Sequence, residues 1–304
     1  MRIQGLDILR GLSAFLIVGN HLQLESYTAS SGLALSYCNL GVGIFAALAG
    51  YFMDSSKMMS YKDESTYIVK RAKRLLPVYA IWSVVFLIAS AIFQLLVSGC
   101  LKGKYFLVSF WIKAIFCGDS STHLWFIISL LYAQIIFSFV VNFLPRCVWF
   151  LVGVVLVSVS QYWHVWFAVY PLRLFAFLVL GWCIRGVEVR STRFCGFLMA
   201  IALLLRQLPI PFFLSHFIIV PPVILFFKSL PVENSKCAAF LGLTSMGVFL
   251  LHPIFTMSLA TIVRHFAIAP YGLCAVGCVW IMSWVLSLML TKFLLRGRMS
   301  WIVR

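Results

Sequence analysis

The sequence predicts an all-α protein that crosses a membrane about ten times, and three observations carry that prediction. Of its 304 residues 63% are hydrophobic and only 11% are charged, with a mean hydropathy of +1.03, an excess that no soluble core of this size needs. The apolar residues come in runs close to the ~20 residues that cross a bilayer core as a helix. The basic residues fall between those runs, and mostly on one side of them.

Ten such segments can be drawn in order, at 6–24, 33–53, 76–98, 123–143, 148–163, 170–186, 194–209, 212–228, 238–262 and 271–294. The stretch 105–117 suits a further helix lying in the interface. The first segment is interrupted by Asp7 and Arg10 and is followed by no small-residue cleavage motif, so it is expected to be a retained span and not a removed signal peptide. An even number of crossings puts both ends of the chain on one side. Of the 24 Lys and Arg residues, 17 fall in the tails and connections of that side. Lys102, Lys104, Lys113 and Arg264 fall on the other, and Arg10, Arg173 and Arg206 lie within or at the ends of segments. Excess Lys and Arg marks cytoplasmic loops, so the N- and C-termini are expected in the cytoplasm. The whole of 1–304 reads as one transmembrane domain with no appended soluble domain.

A net charge of +16 on a soluble domain would suggest nucleic acid. Here the cations orient helices and meet anionic headgroups, so the expected partner is the lipid bilayer, with no nucleic acid. The nine cysteines show no paired spacing and no zinc pattern, and no metal is expected. Most suit small apolar filling positions. Cys38, Cys100 and Cys117 fall in external segments where a disulfide could form.

The polar residues sort by depth. Arg10 and His21 are eleven residues apart, close to three helical turns, which puts both on one face about 16 Å apart. An ionisable group at membrane depth is costly unless it faces a partner or a water-filled cavity. The plain alternative is that Arg10 snorkels to the headgroups and His21 marks the outer interface. All six histidines, His21, His123, His164, His216, His252 and His265, fall in the outer half or beyond. Arg10, Arg71 and Arg74 fall in the inner half. The chain therefore carries a cationic layer on the cytoplasmic side and an imidazole-rich layer nearer the outside.

Five blocks occur in order: LDILRGLSAFLIVGNH from Leu6, VKRAKRLLPVY at 69–79, HLWFI at 123–127, RLFAFLVLG at 173–181 and SMGVFLLHPIF at 245–255. Together they resemble the acyltransferase 3 family of ten-span membrane O-acyltransferases, over about residues 5–294. The resemblance implies transfer of an acyl group, commonly acetyl or succinyl, from cytoplasmic acyl-CoA to a hydroxyl of a cell-surface or lipid-linked sugar or glycan. It implies acetyl-CoA as the foremost co-substrate and a multi-pass place in the plasma membrane, the inner membrane of a bacterium. The chain departs from the family pattern in its second span, where the usual F-F-x-x-S-G-F is replaced by Phe45, Ala46, Ala47, Leu48, Ala49, Gly50 and Tyr51.

The chemistry of such a transfer assigns roles. A hydroxyl proton must be removed, and an imidazole with an unperturbed pKa of about 6.5 suits that near neutral pH. His21 matches the family's first-span histidine and is the expected base. Arg10 on the same face either contacts the incoming thioester, whose carbonyl charge it would stabilise, or pairs with Asp7. The phosphates of CoA need a planar cationic fork. Arg71 and Arg74, three residues apart and so on one helical face, are the expected clamp, with Lys70 and Lys73 beside them. Against this stands a plain positive-inside cluster. Pro77 fits a first-turn position or a kink.

His123 and Trp125 open the fourth span in a pattern shared with the family and are expected to line the acceptor pocket, unless Trp125 belongs to an ordinary interfacial belt. Arg173 and His252 match further family blocks and complete the substrate-binding set. His252 could instead satisfy backbone groups freed by Pro253. Glu25, Asp54 and Asp119 could each orient a histidine. The same architecture would also suit a transporter or flippase, or a non-catalytic sensor. An enzyme would release free thiol from acyl-CoA only when acceptor is present.

Overall fold

The computed structural model describes residues 3–22, 24, 27–53, 61–98, 100, 103, 107–118, 123–160, 162, 166–189, 191–266, 271–297 and 300–303. Among them the chain is all-helical: α1 (Gln4–Asn20), α2 (Ala29–Ser36), α3 (Leu40–Tyr51), α4 (Tyr61–Ser98), α5 (Val108–Phe116), α6 (Trp125–Val140), α7 (Arg146–Val159), α8 (Trp166–Arg185), α9 (Thr192–Leu205), α10 (Phe212–Ser229), α11 (Lys236–Phe266) and α12 (Leu273–Arg296). No strand forms among the described residues beyond an isolated bridge between Tyr27 and Tyr271. Helix is the expected answer for an apolar chain in lipid, because each backbone group must find its partner within its own segment.

The chain is a polytopic membrane protein, and among the described residues each of the ten apolar segments is largely helical, with 33–53 divided between α2 and α3. Among the described residues six stretches are long and apolar enough to cross a membrane: Ala29–Tyr51, Ser65–Ile92, Trp125–Phe143, Phe212–Ser229, Lys236–Phe266 and Leu273–Arg296. The number is smaller than the ten expected. α7 and α9 are apolar but have 14 residues each, about 21 Å against a hydrocarbon core of about 30 Å. α1 has 17 residues and carries Asp7 and Arg10 among them. Hydropathy also misses where α4 begins. It has 38 residues with Pro77 inside it, so Pro77 is interior and not first-turn. At 1.5 Å per residue α4 is about 57 Å long, and its polar N-terminal turns extend beyond the apolar stretch.

Two compact units form, one from Met1–Leu48 with Gly186–Arg304 and one from Ala49–Arg185. In the first, α1 packs on α11 and also on α10, α11 packs on α12, and α9 packs on α10. Small residues let these backbones approach. A Cβ at Gly11 would meet Leu241 Cβ at 2.7 Å, and one at Gly242 would meet Asp7 Oδ1 at 2.4 Å. Ala14, Val18 and Val248 form a buried cluster, flanked by Phe45, Trp280 and Trp284. Trp280 stacks on Phe15 with ring centroids 4.6 Å apart and donates Nε1–H to the Phe15 carbonyl at 2.7 Å.

In the second unit α6 packs on α4 and α8, and α7 packs on α8. Phe137 is fully buried, edge-on to Phe175 at 6.1 Å and to Trp182 at 5.5 Å. Here the departure from the family pattern keeps its glycine. A Cβ at Gly50 would lie 1.8 Å from the Leu178 carbonyl oxygen, so α3 and α8 touch backbone to backbone. Gly50→Ala should destabilise the fold by about 3 kcal/mol, the top of the overpacking range, because a carbonyl cannot step aside. The control is Gly272→Ala, where a Cβ meets nothing within 4 Å. Thermal unfolding midpoints in detergent should fall for the first and not for the second.

Candidate active site

The expected site residues divide between the two units. In the first unit, α1 ends at Asn20, so His21 caps the helix and does not sit on its side. Its backbone is at φ −119° and ψ 28°, with its N–H donating to the Val18 carbonyl at 3.1 Å. Earlier on α1, Arg10 Nη1 reaches Asp7 Oδ1 at 3.4 Å. Asp7 is almost fully buried over Gly242, while the Arg10 side chain keeps 33% exposure. Of the two arrangements open to Arg10, the structure contains the pair with Asp7.

His252 comes to His21 from 231 positions away in the chain, because α11 is the helix on which α1 packs. The two imidazole centroids are 5.3 Å apart. His252 is fully buried, and its Nδ1 lies 2.7 Å from the Phe249 carbonyl and 3.3 Å from that of Val248. Phe249 is four residues before Pro253, which has no N–H to give it. His252 supplies the missing donor. A carbonyl can only accept, so Nδ1 carries the proton and the neutral ring keeps its lone pair on Nε2. The backbone role and a chemical role for His252 are thus compatible, since the first fixes the tautomer that the second would use.

A double substitution separates them. His252→Phe should cost about 1–3 kcal/mol by orphaning the Phe249 carbonyl. Adding Pro253→Ala restores a backbone donor and should recover most of that stability. If His252 also serves the reaction, acyl transfer stays low in the double variant while the unfolding midpoint recovers. Recovery of both would leave His252 a backbone role only.

The second unit holds the other expected residues. Arg71 and Arg74 lie one turn apart on α4. Arg71 Nε donates to Tyr67 Oη at 3.1 Å, and its guanidinium carbon lies 5.1 Å from the Tyr67 ring centroid. Lys70, Lys73 and Arg74 are exposed. His123 is buried, edge-on to Phe86 of α4 at 4.9 Å. Trp125 begins α6 and stacks on Tyr170 of α8, centroids 4.2 Å apart. Arg173, one turn beyond Tyr170, sits 6.0 Å from that ring. It also donates to the Ser160 carbonyl at 2.7 Å and to Ser160 Oγ at 3.2 Å, bracing the end of α7. Trp125, Tyr170 and Arg173 thus form one stacked group with a cation at its edge.

Gly118 positions that group from behind. Its φ of +76° is a left-handed conformation that favours glycine, and a Cβ there would lie 2.3 Å from Trp125 Cα. The turn after α5 therefore lies directly on the first residue of α6. Tyr79 Oη holds the end of α5 as well, donating to the Ala114 and Ile115 carbonyls at 2.6 and 2.8 Å.

Sequence reasoning missed Tyr170 and Tyr67. The signal for each was local, an aromatic residue three or four positions before an arginine on one helix. Glu25, Asp54, Asp119 and His164 lie outside the described residues. All nine cysteines are free thiols, including Cys38, Cys100 and Cys117.

The family model of an acyltransferase domain, acyltransferase 3, matches residues 3–290. No curated protein and no solved structure matches the chain.

Proposed function

The chain belongs to the acyltransferase 3 family, and from that premise we propose that it transfers an acyl group, acetyl foremost, from cytoplasmic acyl-CoA to a hydroxyl of a cell-surface or lipid-linked sugar at the plasma membrane. The observation that carries this reading is the meeting of His21 and His252 at 5.3 Å, at the end of the helix that also bears Arg10. It offers a base for the acceptor hydroxyl and a second imidazole of fixed tautomer beside it.

In this reading His21 takes the hydroxyl proton as the oxygen attacks the thioester carbonyl. A C–O bond forms, the C–S bond breaks, and the imidazolium returns its proton to the departing thiolate. Base catalysis of this kind is worth about 100- to 10,000-fold in rate. Arg71 and Arg74 hold the CoA phosphates, with Lys70 and Lys73 adding unspecific positive charge. Trp125, Tyr170 and Arg173 form a face on which a sugar ring stacks, His123 stands in the turn just before α6, and Arg10 is the cation on α1 itself, held by Asp7.

The test uses the purified protein with acetyl-CoA and a thiol-reactive dye. Free CoA should appear only when extracted surface glycan is added, and mass spectrometry of that glycan should show the acyl group. No release from acetyl-, succinyl- or longer acyl-CoA, with or without glycan, would overturn the reading.

A further inference from the structure

A second polar cluster lies at the end of the first unit where α1 finishes, and the transfer chemistry leaves it unused. Gly19, two residues before His21, faces Cys38 so closely that a Cβ there would meet Cys38 Sγ at 2.5 Å. The neighbouring Tyr37 accepts from Gln207 Nε2 at 2.5 Å and donates to the Leu203 carbonyl at 3.4 Å. These bonds pin the α9–α10 connection beside the end of α1. Arg206, next to Gln207, lies over the Phe212 ring at 4.7 Å and donates Nη1–H to Ser215 Oγ at 3.4 Å. The His216 ring is 4.3 Å from that same Phe212 ring.

His216 is only 2% exposed, and its Nδ1 lies 2.5 Å from the Phe212 carbonyl. Nδ1 therefore carries the proton, and Nε2 is left as an acceptor. Neither His216 Nε2 nor the buried Arg206 Nε has a hydrogen-bond partner among the described residues. One is an acceptor and the other a donor. Buried polar groups are normally satisfied, and those that are not call for an explanation. A carboxylate or phosphate would answer Arg206 and repel the His216 lone pair, and an ammonium would do the reverse. A hydroxyl answers both, because it accepts and donates through one oxygen.

We propose that Arg206 and His216 form an accessory subsite for a hydroxyl of a non-reacting sugar unit of the acceptor, the hydroxyl accepting from Arg206 Nε–H and donating to His216 Nε2. This deepens the function proposed above and rests on it, since it takes the acceptor to be a glycan. The subsite stands at the His21 end of its unit, where an acceptor has to be held during transfer. Phe212 holds the two groups together, with the Arg206 guanidinium over its ring and the His216 ring against it.

Saturation-transfer NMR tests it, with the full chain in phosphatidylcholine nanodiscs so that no glycerol headgroup competes. The probes are the methyl glycosides of glucose, galactose, mannose, rhamnose, N-acetylglucosamine and N-acetylgalactosamine. At least one should receive saturation from the wild-type protein, at least tenfold more strongly than from His216→Phe or Arg206→Lys. His216→Phe removes the buried orphan acceptor without opening a cavity, and Arg206→Lys keeps the charge while removing Nε, so one variant stands if the other misfolds. His21→Ala should keep the signal. Equal signals in wild type and both variants, or no glycoside signal from protein that still binds acetyl-CoA, would overturn the subsite and leave a buried water site only. Failure of the wild-type protein to bind or consume acetyl-CoA would instead sink the transferase reading, whatever the glycosides do.

Discussion

His21→Ala should lower acyl transfer by about 100- to 10,000-fold, the range expected for loss of a positioned base, while the protein still inserts and purifies as wild type. The expectation of an intact fold comes from how α1 ends. The bond that closes the helix runs from the His21 backbone N–H to the Val18 carbonyl at 3.1 Å, and an alanine backbone makes it equally well. α1 buries Leu6, Leu9, Ala14, Ile17 and Val18, all upstream of the substitution, and Ala14 and Val18 cluster with Val248 of α11. The side chain itself meets His252, whose anchor is the Phe249 carbonyl and not His21. Stability and activity should therefore part company at this position. The measurement is single-turnover release of CoA with saturating acetyl-CoA and glycan, beside the thermal unfolding midpoint of the same sample. A variant that unfolds like wild type and keeps most of its transfer rate would remove His21 from the reaction.

The helices were legible because their cause is local. A run such as Phe126 to Val140 or Val276 to Leu290 is too apolar to stay in water, and in lipid it has no fold available but a helix. The limits of that logic show where a second cause acts. Hydropathy places the third span at residue 76, but the turns just before it, Lys70, Arg71, Ala72, Lys73, Arg74 and Leu75, are good helix formers, and α4 starts back at Tyr61. The segment 33–53 reads as one run, yet Tyr37–Asn39 forms a 3-10 turn that separates α2 from α3.

The site was legible one residue at a time and illegible as an assembly. His21, His252, Trp125 and Arg173 could each be singled out by residue type and depth. That His21 would meet His252, or that Trp125 would stack on Tyr170, depends on which helices pack, and helix-long apolar faces do not encode partners at 231 or 45 positions' separation. Pro253 was the one exception: a proline directly after a histidine announces a carbonyl in need of a donor, and His252 Nδ1 meets it. The pair at Arg206 and His216 had no sequence signal at all, since each alone reads as a polar residue at the end of a span.

Replacing both Arg71 and Arg74 by alanine should weaken CoA binding by about 100- to 1,000-fold. The magnitude follows from two charge-assisted hydrogen bonds of roughly 1.5–2 kcal/mol each, at 1.4 kcal/mol per tenfold. The alternative, that these residues only orient α4 by their charge, predicts a different pattern. Replacement of both by lysine keeps the charge that orientation needs and loses the planar fork that phosphate recognition needs. The Arg71 fork is held in advance, with Nε on Tyr67 Oη at 3.1 Å and the guanidinium over the Tyr67 ring, so Tyr67→Leu should cost part of the same affinity. The double lysine variant should therefore insert normally and bind CoA at an intermediate level. S-acetylpantetheine, which carries the thioester arm and no phosphate, should bind all variants alike. Calorimetric titration of CoA and S-acetylpantetheine into wild type, double lysine and double alanine proteins reads the whole pattern. Unchanged CoA affinity in the double alanine protein would leave the cluster as a membrane anchor and send the search for the phosphate site elsewhere in the chain.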